Sequence, residues 1–131
     1  MRYLLDTNTC IYAIKRRESV PGRLRELAPD DVAITTVTLA ELWFGARKSS
    51  RSQQTRARVD AFLRPFSVLP FDRDAAAAYA EIRLVLEQRA GPIGERGLLI
   101  ASIARSRRLK VVTHDVGEFS RVPGLSVEDW F

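Results

Sequence analysis

Residues 97–115, GLLIASIARSRRLKVVTHD, decide the fold. Leu98, Leu99, Ile100, Ala101, Ile103 and Ala104 make a helical pattern apolar nearly all round, which predicts a helix over 97–107 buried at the centre of a domain. The pattern gives way at once to KVVT, a short strand over Lys110–Thr113 that runs into His114-Asp115. Upstream, apolar runs at Tyr3–Leu5, Val32–Thr35 and Ser67–Leu69 have the same short length, and a weaker one lies near Leu125–Val127. Helical patterns at 8–17 with 21–28, 37–48 with 52–64, and 73–90 separate them. This alternation predicts an α/β fold: a three-layer α/β/α sandwich on a central, mainly parallel sheet of four to five strands.

The chain has 131 residues, the size of a single domain, 1–131, with no linker, repeat or low-complexity tract. No apolar run reaches a membrane span, and MRYLLDTNTC does not read as a signal peptide, so the expectation is a cytoplasmic protein with no membrane partner. The net charge is +5, from 21 Lys+Arg against 16 Asp+Glu, and 18 of the 21 are Arg. Such a surface suits polyanions, although an Arg excess beside many Ala also follows from GC-rich coding. Lone Cys10 and lone His114 exclude a disulfide framework, a Cys-based zinc site and a two-His metal motif; both read as structural residues.

Ligands of open α/β sheets bind beyond the carboxyl ends of the strands. Asp6 follows the first strand, Glu41 lies one turn into the helix after the second, and Asp115 follows KVVT. Each has a plain structural reading: Asp6 as a helix N-cap, Glu41 as the end of a Thr38-x-x-Glu41 capping box, Asp115 as a turn residue. Together they place three carboxylates on one edge, which repel one another unless a cation or proton intervenes. Hard divalent ions with oxygen ligands, Mg²⁺ or Mn²⁺, are the natural occupants, and in a basic domain they suggest phosphodiester chemistry.

The strings LLDTNTCIYAIK (4–15), ITTVTLAELWFGARKS (34–49) and IGERGLLIASIARSRRLKVVTHDVGEFSRVPGLSVEDW (93–130), in that order, resemble the PIN-domain ribonucleases, and among them the VapC toxins of VapBC toxin–antitoxin pairs. The resemblance covers essentially the whole chain. It implies a PIN domain, a Mg²⁺- or Mn²⁺-dependent endoribonuclease acting on a structured RNA such as tRNA or rRNA, and a VapB-type antitoxin that obstructs the site. It also implies homodimers or toxin–antitoxin hetero-oligomers, with DNA engaged only through the antitoxin. Asp6, Glu41 and Asp115 match the family's catalytic and metal-binding acids. Thr7, Asn8 and Thr113 match supporting polar residues, and Glu118 lies nearby. One position departs: the family pattern IGxNDLLIA carries a metal-binding Asp where this chain has Gly97. A degraded natural site, compensation by Glu95, and a change selected against a toxic activity all stay open. The departure implies weak metal binding and impaired cleavage.

Arg47, Lys48 and Arg51, with Arg56 and Arg58, are the basic residues best placed to hold RNA. Lys15–Arg17 and the 105–110 cluster lie at the wrong ends of their elements, and aromatic residues are sparse in these stretches, so base stacking is not evident. Two other classes compete. One is a catalytically inactive PIN-like module that binds antitoxin or RNA. The other is a phosphotransfer domain of the receiver or haloacid-dehalogenase type, disfavoured because no lysine ends a late strand.

Overall fold

A computed structural model describes residues 1–89 and 91–131. Five strands form one sheet: β1 (Tyr3–Leu5), β2 (Val32–Thr35), β3 (Ser67–Leu69), β4 (Lys110–Val112) and β5 (Val127–Glu128). Their order is β3-β2-β1-β4-β5, and every pairing is parallel. Helices α1 (Thr7–Ile14), α2 (Val20–Arg25), α3 (Thr36–Lys48), α4 (Ser52–Leu63), α5 (Arg73–Gln88) and α6 (Glu95–Ser106) connect them, with a short α7 (Val116–Phe119) after β4.

Strand alternation splits the interior into two layers. Leu4 pairs in register with Ala33 and Val111, and these three pack with Ile82 of α5 and Ile100 and Ile103 of α6. Leu5 is in register with Val112, and with Ile34 they face the opposite layer, against Cys10 and Ala13 of α1 and Val59 and Leu63 of α4. Parallel strands covered on both faces read as continuous apolar runs, which is why VAIT and KVV were legible.

The differences from expectation are local. The central helix begins two residues early, at Glu95, because Gly94 takes the N-cap position and Leu98 N–H bonds Gly94 C=O. This brings Glu95 and Gly97 into its first turn. The last strand is Val127–Glu128 rather than Leu125–Val127, and β4 stops at Val112. The four-residue α7 is too short to leave a periodic signal. The end of the 73–90 pattern at residue 90 lies outside the described residues; α5 itself ends at Gln88. Among the described residues no helix is long and apolar enough to cross a membrane.

Ile103 is fully buried in α6 between α5 and the sheet. Ile103→Ala is expected to cost about 2–5 kcal/mol of unfolding free energy, measurable by urea denaturation.

Candidate active site

The strand order reverses between β1 and β4, which opens a crevice at their carboxyl ends. Asp6 and Thr113 are the first residues past β1 and β4, and Thr35 is the last residue of β2. All are buried and polar: Asp6 is 5% exposed, and the two threonines 0%. By alternation they face the same layer as Leu4, Ala33 and Val111, towards the start of α6.

Asp6 is both N-cap and site residue. Its Oδ1 accepts the Thr9 N–H at 2.8 Å, opening α1. Burial pushes its carboxyl above the ordinary carboxylate range, and the nearby Asp115 charge adds to this. The Thr113 hydroxyl and the Thr9 amide oppose the rise by bonding the ionised form. Thr113 Oγ1 also accepts the Asp115 N–H at 2.9 Å, so one hydroxyl ties together the two acids that flank the crevice.

Glu41 is not a capping residue. Thr35 caps α3 by accepting the Thr38 N–H at 3.0 Å, which leaves Thr38 inside the helix and Glu41 in its second turn. The sequence pattern misplaced the cap by three residues, because the helix starts directly from the last strand residue. Glu41 Oε1 instead accepts the Thr7 hydroxyl at 2.7 Å, and Thr7 Oγ1 also lies 3.1 Å from Thr38 Oγ1. Asn8 is exposed on the first turn of α1. Asp115 precedes α7 without capping it through its side chain.

Glu118 enters the site by a route the sequence left vague. Its Oε1 accepts the Gly94 N–H at 3.0 Å. A Cβ placed on Gly97 would lie 2.9 Å from that same oxygen. Glu118 therefore fills the space next to Gly97 where the family pattern puts an acid. Burial and the sharing of a proton with Asp115 push its carboxyl up, while the Gly94 amide pulls it down. Glu95 turns elsewhere: its carboxylate accepts the Tyr79 hydroxyl at 3.0 Å on α5.

Arg96 was overlooked. Its Nε stands 3.8 Å from Glu41 Oε2, with the side chain 75% exposed. The signal was in IGERGLLIA itself, where Arg96 takes the Asn slot next to the missing Asp. A cavity of about 350 Å³ runs from Glu41 between α1, α3 and α4, with Lys15 and Arg58 along it. Lys15 is the C-cap of α1, at the far end of that helix from Asp6 as expected, and lines the same cavity as Glu41. Arg47, Lys48 and Arg51 are exposed at the end of α3 and just beyond it, with Lys48 Nζ 4.9 Å from the exposed Phe44 ring. Arg105, Arg108 and Lys110 line a cavity with Arg2 at the opposite, amino end of the strands.

Asp6 and Asp115 flank the crevice, and carboxylate oxygens are the donors a hard divalent ion takes. Two acids plus water and substrate phosphate are the usual holding for Mg²⁺. Among the described residues no three acidic, His or Cys side chains converge as a ready-made cage, since Thr7 and Arg96 engage Glu41 and Gly94 engages Glu118.

The chain is similar to known proteins over nearly its whole length. The family model described as PIN domain matches residues 3–125. Ribonuclease VapC2 of Rickettsia felis is 39% identical over 132 residues, covering 99% of this chain and 98% of that protein. A tRNA(fMet)-specific endonuclease VapC of Salmonella typhimurium is 39% identical over 133 residues, with the same coverage. Among solved structures, VapBC2 from Rickettsia felis bound to a promoter DNA fragment superposes with a TM-score of 0.93 at 38% identity, covering 100% of both chains. DNA-bound VapBC from Salmonella typhimurium gives 0.94 at 38% identity, covering 100% of this chain and 99% of that one.

Because burial raises the Asp6 pKa in the fold, its ionisation costs stability at neutral pH when no metal is bound. Asp6→Asn keeps an acceptor for Thr9 N–H and is expected to raise the melting temperature of metal-free protein at neutral pH. The gain should shrink as pH falls through the folded-state pKa and be gone below the ordinary value of 3.8. Melting curves in chelator across pH check this.

Proposed function

The chain belongs to the PIN-domain family and to its VapC ribonucleases, the toxins of VapBC pairs, and we propose that Asp6, Glu41 and Asp115 are the acids through which it hydrolyses RNA. VapC nucleases of the PIN family depend on a divalent metal; for this chain we assign Mg²⁺ or Mn²⁺ to Asp6 and Asp115. The observation that carries the assignment is the burial of Asp6 beside Asp115 at the reversal of strand order.

When bound, the ion supplies positive charge for the phosphate and lowers the pKa of water. Thr113 fixes the two acids relative to each other through its hydroxyl. Thr7 holds Glu41 Oε1, leaving Oε2 to take the proton of the attacking water. Arg96 stands at the rim next to that oxygen, where its guanidinium meets the substrate phosphate. Arg47, Lys48 and Arg51 hold the RNA backbone further out.

The substrate we favour is a structured RNA such as tRNA or rRNA; the Salmonella relative named for tRNA(fMet) supports the first. The structural neighbours crystallised as VapBC complexes support a VapB-type antitoxin partner, with promoter DNA reached through it. A homodimer within that assembly is part of the same reading. One sheet joins Tyr3 to Glu128, which supports a single PIN domain over 1–131.

A second reading, an inactive PIN-like module that only binds antitoxin or RNA, draws on Gly97. Removing one carboxylate weakens a water-rich metal site, and Arg96 adds a cation beside Glu41. Incubation of total RNA with the protein and Mn²⁺ separates the two. Cleavage abolished by Asp6→Ala supports the nuclease; no cleavage by the unaltered chain supports the module.

Gly97→Asp is expected to displace Glu118 from Gly94, because the new Cβ would lie 2.9 Å from Glu118 Oε1, the end of a flexible side chain, while Phe119 Cζ at 3.6 Å is in ordinary contact. It adds a carboxylate beside Glu118 and Asp115. The variant should melt lower than the unaltered chain in chelator, higher than it in excess Mn²⁺, and cleave RNA faster. Unchanged metal affinity and rate would remove Gly97 as the cause of impairment.

A further inference from the structure

Tyr12, His114 and Phe131 come from α1, from the residue before Asp115, and from the segment after β5. In the fold their rings meet. His114 and Phe131 lie with centroids 4.3 Å apart and planes 35° from parallel. Tyr12 packs on Phe131 at 4.6 Å and edge-on to His114 at 6.2 Å. Asp129 fastens two of the three: Oδ1 accepts the Phe131 N–H at 2.9 Å, and Oδ2 lies 3.0 Å from His114 Nδ1.

This cluster is not ordinary core. Trp130, its neighbour, is 3% exposed and packs edge-on to Tyr3. Phe131 is 42% exposed, and the His114 side chain 49%. Rings held this firmly, yet left half open, sit at the sheet end that carries the acids. Alternation points His114 to the α1 side of the β4 end, while Thr113 faces Asp6. The aromatic group thus includes the residue directly before Asp115, on the α1 side of the strand end, beside the acids.

We infer that Tyr12, His114 and Phe131 form a stacking platform for one unpaired base of the RNA substrate, next to the phosphate being cleaved. Sequence-tolerant stacking on Phe, Tyr and His is how proteins hold unpaired bases. The platform selects single-stranded loops over continuous duplex, whose bases are stacked on one another. It rests on the proposed acids only for its position relative to the reaction. A docking apolar side chain of an antitoxin is the competing occupant.

The test uses the full chain in chelator, so that RNA is bound and not cut. Affinity is measured for a short single-stranded RNA carrying a fluorescent purine analogue, and for the same strand with abasic sites. Phe131→Leu and Tyr12→Leu should each weaken binding of the base-bearing strand about tenfold and reduce quenching of the analogue. Phe131→Trp should preserve both, and the abasic strand should bind all four proteins alike. Equal affinity of Phe131→Leu and the unaltered chain for the base-bearing strand overturns the inference. So does an equal loss on the abasic strand, or a loss confined to a VapB-type antitoxin. Cleavage retained in Asp6→Ala would instead overturn the acid assignment and leave this binding result standing.

Discussion

The rest of the structure depends on a buried carboxylate held against a like charge. Asp6 sits at the end of the central strand, 5% exposed, with a threonine hydroxyl and an amide as its bonding partners and Asp115 as its charged neighbour. A parallel sheet sets up this closeness. Once Leu5 pairs with Val112, Asp6 and Thr113 emerge side by side, and Asp115 follows two residues on with its N–H bonded to Thr113 Oγ1. Burial, and to a lesser degree the Asp115 charge, make ionised Asp6 costly, and a divalent cation would offset both effects. The same constraint explains the hydroxyls around it. Thr7, Thr9, Thr35, Thr38 and Thr113 satisfy carboxylate oxygens, helix starts and strand carbonyls without adding charge.

The charge distribution follows the same division. The chain is +5 overall, but Asp6, Glu41, Asp115 and Glu118 lie at or just beyond the carboxyl ends of the strands. Several arginines that look free in sequence are paired: Arg105 with Glu81, Arg107 with Asp72, Arg56 with Asp60. Exposed pairs of this kind add little stability. Arg47, Lys48 and Arg51 stay exposed at the end of α3 and just beyond it, and Arg96 pairs with Glu41. Arg56 additionally lies 3.9 Å from the Trp43 ring, so part of the Arg excess serves packing rather than substrate.

The layers of the fold were legible because every strand is short, apolar and followed by an amphipathic or buried helix. The places of Asp6, Glu41 and Asp115 at the carboxyl ends of the strands were legible because each follows a strand by a few residues. What stayed hidden arises from contacts between distant segments. Glu118 occupies the space beside Gly97 only because α7 folds back on the first turn of α6. Tyr12, His114 and Phe131 are separated by most of the chain and share no periodicity. The Thr38–Glu41 pattern misled for the opposite reason: a good local motif lost to Thr35, which tertiary pairing had already placed at the helix start.

The central claim is that the fold builds a cation site from Asp6 and Asp115 despite the glycine at 97. Anomalous diffraction from a crystal soaked in Mn²⁺ tests it most directly. The account predicts a peak between the carboxylates of Asp6 and Asp115, with Glu118 released from the Gly94 amide or reaching the ion through water. A peak elsewhere, or none at a Mn²⁺ concentration that supports RNA cleavage, would contradict it.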